Sequence, residues 1–121
     1  SENCAMTGQA ELLWSGTLTK GKSVTLPNAN WKKYNLFKAR TSDGITMMVG
    51  ARYINPSGDD SIRFVGGYDD GSNSYVFKAN TTISDSNSFK NVACSLHKYL
   101  TSSSGSGMSK ALDLKELWGI I

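Results

Sequence analysis

The sequence predicts an all-β domain, an antiparallel β-sandwich of jelly-roll-like type with about seven or eight short strands. Three observations predict it. Side chains alternate with a period of two in run after run, as at Leu12, Trp14, Gly16 and Leu18, or at Tyr75, Phe77, Ala79 and Thr81; this is the pattern of a half-buried strand. Clusters of Gly, Asn, Asp and Ser separate these runs at intervals of about ten residues, the rhythm of hairpin-linked strands. Proline is held to 2 residues, while β-branched and aromatic residues concentrate inside the runs, where a pleated surface accommodates them best.

Taken in order, 12–19 forms a first strand, Lys20-Gly21-Lys22 a turn, and 23–26 a return strand stopped by Pro27, together a hairpin. PNANWKK (27–33) reads as a loop and 34–41 as the next strand. Ser42-Asp43-Gly44 is a tight turn with glycine where positive φ is wanted. Ile45, Met47, Val49, Ala51 and Tyr53 then alternate with Thr46, Met48, Gly50 and Arg52. NPSGDD (55–60) is a loop, and 62–68 is a strand whose Gly66-Gly67 pair invites a bulge or a close backbone approach. DDGSN (69–73) turns the chain into 75–81, and the polar SDSNS (84–88) leads to a strand over 89–100.

TSSSGSGMS (101–109) has linker composition and reads as a hairpin tip. Leu114, Leu117, Trp118 and Ile121 fit a helical stripe. A strand is preferred there, because it completes a hairpin with 89–100. Trp14, Phe64, Phe77 and Trp118 fall on the apolar faces of strands and are expected in the core.

At 121 residues the chain is one domain, able to bury roughly two-thirds of its unfolded surface. Residues 11–121 form that domain, and 1–10, without a strand pattern, read as a stub or linker. Hydrophobic residues at 39% and charged residues at 19% exclude a disordered tail. No apolar run is long enough for a transmembrane helix, and Ser1-Glu2-Asn3-Cys4 lacks the features of a signal peptide. The net charge of +3 is spread along the chain, densest at Lys20, Lys22, Lys32 and Lys33. Without a basic stripe interleaved with aromatics, nucleic acid is not an expected partner. Cys4 and Cys94 allow one bridge, but Cys94 sits in an apolar stretch and reads as a small buried hydrophobe.

Catalytic chemistry has little to build on. His97 is the single histidine, and no nucleophile elbow, phosphate-cradling glycine motif or metal-spaced Cys/His set is present. Asp59-Asp60 and Asp69-Asp70 read as turn formers, and 69–73 lacks the ligand series of a calcium loop. Neither an enzyme nor a cofactor nor a metal is expected. Asn80-Thr81-Thr82 matches a glycosylation triplet to which no function is assigned. Trp31 and Tyr68 lie in or beside loops, with Asp69, Asp70 and Asn73 close in sequence. Aromatics beside Asp and Asn are suited to stacking on sugar rings and bonding their hydroxyls. An aromatic folded back on the core is the competing reading.

LLWSGTLTKGKSVTLPN (12–28), YNLFKAR (34–40) and LKELWGII (114–121), in that order, resemble the small C-terminal domains of bacteriophage tail, head-fibre and other virion appendage proteins. The resemblance spans about 11–121. It implies a β-sandwich module at the tip of a fibre, commonly a homotrimer, that attaches to host cell-surface polysaccharide or a wall polymer. It also implies localisation on the virion, made in the host cytoplasm and acting outside the cell. The apolar end of the last strand is expected to place Trp118, Ile120 and Ile121 buried in the domain or between subunits. A structural decoration or trimerisation knob without receptor binding is the alternative, and a glycan hydrolase using Asp pairs comes third.

Overall fold

The computed structural model describes residues 9–43, 47–100 and 106–121. Nine strands form among them: β1 (Ala10–Leu18), β2 (Ser23–Thr25), β3 (Leu36–Thr41), β4 (Met47–Tyr53), β5 (Asp60–Asp69), β6 (Asn73–Ile83), β7 (Ser88–Leu100), β8 (Ser106–Ala111) and β9 (Leu114–Ile120). A single 3-10 turn, Asn30–Lys33, lies between β2 and β3. No described helix is long and apolar enough to cross a membrane. Cys4, the glycine of the 42–44 turn and most of the 101–109 segment fall outside the described residues. Ser106–Ser109 already belong to β8, so the linker reading does not extend over them.

Alternation decides each strand's faces. On β3, Phe37, Ala39 and Thr41 are buried while Leu36 is exposed; on β6, Phe77, Ala79, Thr81 and Ile83 are buried. Fully enclosed Phe37, Phe77, Phe89, Met48, Ile62, Leu114 and Leu117 make up the centre of one core. Each such side chain contributes about 1.5–3 kcal/mol relative to exposure. Gly67 meets the expected close approach, since a Cβ there would stand 2.4 Å from the Tyr75 carbonyl oxygen. The β5–β6 ladder runs past it without a register shift.

The expected all-β class is observed, but the two separate sheets of a sandwich are not. All described strands join one antiparallel sheet in the order β1-β9-β3-β4-β5-β6-β7-β2, with β8 added beside β7. The 13-residue β7 is long enough to carry β2 on Ser88–Lys90 and β8 on Ser95–Tyr99. Short connections at 19–22 and 112–113 join the two ends of the strand order, which therefore lie close together in space. Asn91 fastens them: its Nδ2 donates to the Leu18 carbonyl at 2.9 Å, and its own carbonyl accepts from Gly21 N at 2.7 Å. Leu112 N donates to the Cys94 carbonyl at 3.0 Å beside the second crossing. The sheet thus curls around its core.

Two expected hairpins are corrected by this curl. β1 and β2 do not pair with each other: Lys22 N closes the turn on the Thr19 carbonyl, but Gly21 N donates to the Asn91 carbonyl and the Lys22 carbonyl accepts from Asn91 N, which commits β2 to β7. The C-terminal segment is a strand as preferred, but β9 lies between β1 and β3 rather than against 89–100. Its inward Leu114 and Leu117 are buried on both flanks by that placement.

Candidate functional site

The expected ligand residues do not converge. Trp31 is held by the 3-10 turn with 1% of its surface exposed, so it belongs to the core rather than to a stacking surface. Its Nε1 donates to Asn87 Oδ1 at 2.9 Å, and the Arg52 guanidinium lies over the ring at 5.2 Å. Arg52 in turn meets Asp60 at 2.9 Å and donates to the Lys32 and Tyr34 carbonyls. This explains a tryptophan among polar neighbours: the surrounding groups form a polar seal over an apolar ring.

Tyr68, Asp69, Asp70 and Asn73 do gather, at the β5–β6 hairpin. Asp70 accepts from the backbone N–H groups of Ser72 and Asn73 at 2.8 and 2.7 Å, and from the Tyr75 hydroxyl at 3.0 Å. Those bonds, the backbone ones foremost, hold its carboxyl below the usual range. Asp69 accepts from Gly71 N and Ser74 Oγ, and Gly71 turns with φ of +93°. Tyr68 stacks on Tyr75 with ring centres 4.6 Å apart and lies against Phe77 at 6.1 Å. The acids shape the turn, as expected, and Tyr68 covers one end of the core. Among the described residues no His, Cys, Asp and Glu cluster could hold a metal ion. Burial pushes the Cys94 thiol up to about 12, which makes it a poor nucleophile.

The strongest surface feature lies on the outer side of β1, β9, β3, β4 and β5. Pairing aligns Leu12, Trp118, Lys38, Val49 and Val65 in one row across the five strands. Ile120, Leu36 and Ala51 form the neighbouring row. Leu12 and Leu36 are each 47% exposed, Val49 49% and Val65 58%. Trp118 and Ile120, expected at an interface, are half-buried within this field, and Ile121 is exposed at its end. Contiguous apolar areas of this kind mark interaction sites in soluble proteins. The four residues missed in sequence come from four different strands, and only the register brings them together.

The charges inside the field are compensated locally. Arg40 holds Glu116 through two bonds, 3.0 and 2.8 Å, while Trp118 Nε1 donates to the same carboxylate at 3.2 Å. The Lys38 ammonium lies over the Trp118 ring at 5.3 Å. Arg40 first, then Trp118, lowers the Glu116 carboxyl to about 2. A folded pKa below the unfolded value of about 4.3 adds stability that is fully present above that value. The gain disappears as pH falls through the folded pKa, so acid between about 4.3 and 2 weakens this face. Side-chain NMR is expected to show Glu116 titrating near the bottom of that window, and Arg40→Met is expected to move the midpoint up toward the ordinary value. An unshifted midpoint in the unaltered chain would contradict the pairing.

No family model, curated protein or solved structure matches the chain, so the likeness to virion appendage domains rests on the sequence motifs.

Proposed function

We propose that the chain is a non-enzymatic structural module of a virion fibre, a knob whose identical copies pack against one another through the outer face of β1, β9, β3, β4 and β5. The exposed apolar field carries this reading. A second copy is the occupant that suits it, because the field is apolar while its Arg40 and Glu116 charges are already paired within the chain. An identical face brings no unmatched carboxylate toward those groups, and its one further cation in the central row, Lys38, lies over the Trp118 ring. A homotrimer is the assembly the motif resemblance implies, and the curled sheet then presents its two halves as sandwich-like layers around each core.

The test is single substitution at exposed, weakly supported positions. Val49→Glu and, separately, Leu36→Glu are expected to convert the oligomer to monomer with little change in Tm, read by light scattering on a sizing column. Retention of the oligomer in both variants would sink the interface.

Attachment to host-surface polysaccharide is the second reading, favoured by the grouping of Tyr68, Asp69, Asp70 and Asn73 on one hairpin. Saturable binding of labelled protein to host cells, competed away by purified wall polysaccharide, supports it; absence of binding to candidate hosts removes it.

A further inference from the structure

The outer face of β5, β6 and β7 carries a shallow depression of about 440 Å³ bordered by Arg63, Lys78, Asn80, Ser95 and His97. Register builds it. Arg63 stands opposite Asn80, Lys78 opposite Val65 on one side and Ser95 on the other, and Asn80 opposite the small Ala93. Arg63 and Lys78 are therefore diagonal neighbours on one face, within joint reach of a single group. A register shift between Asn80 and Thr81 disturbs the β6–β7 ladder beside them, and such irregularities bend a sheet locally.

The chemistry of the border is one-sided. Guanidinium and ammonium groups only donate, and the amide, hydroxyl and imidazole each offer a donor as well. No carboxylate lines the depression. Among the described residues Arg40 and Arg52 are paired with Glu116 and Asp60, whereas neither Arg63 nor Lys78 has an acidic partner. Ser95 Oγ and His97 Nε2 lie 3.0 Å apart and orient each other on β7.

We propose that this depression binds a multiply charged tetrahedral oxyanion, a phosphate or sulfate ester. Arg63 supplies a planar fork for two oxygens and Lys78 a point charge. The Asn80 amide and Ser95 hydroxyl supply further donors. The depression is shallow and open, which leaves room for an ester carried on a larger molecule. The site adjoins the edge of the proposed assembly face: it shares Val65 with it, and Arg63 stands opposite Ala51 of that face.

Calorimetry and amide chemical-shift titration with sodium sulfate, inorganic phosphate, polyphosphate, dextran sulfate and neutral dextran test it. Shifts are expected to centre on Arg63, Lys78 and Ser95, with binding that weakens as salt rises. The double variant Arg63→Gln/Lys78→Gln is expected to bind at least tenfold more weakly. Lys20→Gln/Lys22→Gln, which removes the same charge from the turn before β2, is expected to bind as the unaltered chain does. Binding of the polymers alone supports a polymer-borne ester, and binding of the small anions too supports the free oxyanion as ligand. No localised shift with any of the four anions, equal losses in the two variants, or equal binding of neutral dextran would overturn the site. Solution mass measured on both variants keeps this outcome separate from the fate of the assembly face.

Discussion

Trp31→Ala is expected to cost about 3–5 kcal/mol, the range for deleting a large buried aromatic, and so to remove much of the stability of a typical domain. The ring is almost wholly enclosed, and it is also a polar junction. Its loss leaves Asn87 Oδ1 without its donor, at a residue already held at φ of +65° and whose carbonyl accepts from Leu26 N at 2.7 Å. The Arg52 guanidinium loses the ring beneath it but keeps Asp60. Trp31→Phe separates the contributions. It keeps most of the apolar contact and gives up the Nε1–H bond, and the bond alone is expected to account for about 1 kcal/mol. Urea unfolding of the two variants checks this. Near-native stability in Trp31→Ala would contradict the burial, and would return Trp31 to the surface as a ligand-stacking residue.

Gly119→Val is expected to cost about 3 kcal/mol, at the upper end for an overpacked core. The C-terminal motif LWGII holds glycine because the Tyr34 ring lies directly on its backbone: a Cβ there would stand 2.3 Å from Tyr34 Cδ2. Tyr34 has little freedom to move. It is buried beside Phe37 with ring centres 6.1 Å apart, and its hydroxyl donates to the Glu11 carboxylate. Burial, and then that bond, raise its phenol to about 12. Combining Gly119→Val with Tyr34→Ala is expected to cost less than the sum of the two single changes, because the double variant removes the clash along with its cause. Strict additivity in thermal unfolding would show that the ring and the glycine do not meet.

Much of the strand pattern was legible because it is local. Period-two alternation located β1, β4, β5, β6 and β7 to within a few residues, and glycine in DDGSN marked the turn in which Asp70 collects backbone N–H groups. Partners were not legible, since pairing depends on residues far apart in sequence. β2 reaches β7 and β9 reaches β1 and β3 only because the sheet curls. The β4 alternation located the strand yet concealed its inner face. Met48 and Gly50 point inward while Met47 and Val49 face out, and with apolar residues on both faces hydropathy cannot choose between them. Trp31 was hidden in another way: its neighbours in PNANWKK are polar or small, and only the seal formed by Arg52 and Asn87 shows why it is enclosed. The outer apolar field and the donor-lined depression both draw on several strands, so each becomes visible only once the register is known.

Self-association through the outer face is the central claim, and sedimentation velocity over a broad range of protein concentrations tests it most directly. A homotrimer that Val49→Glu and Leu36→Glu each dissociate into folded monomers is the predicted result. A monomer at every concentration up to the solubility limit would contradict it and leave the apolar field without a second copy to cover it.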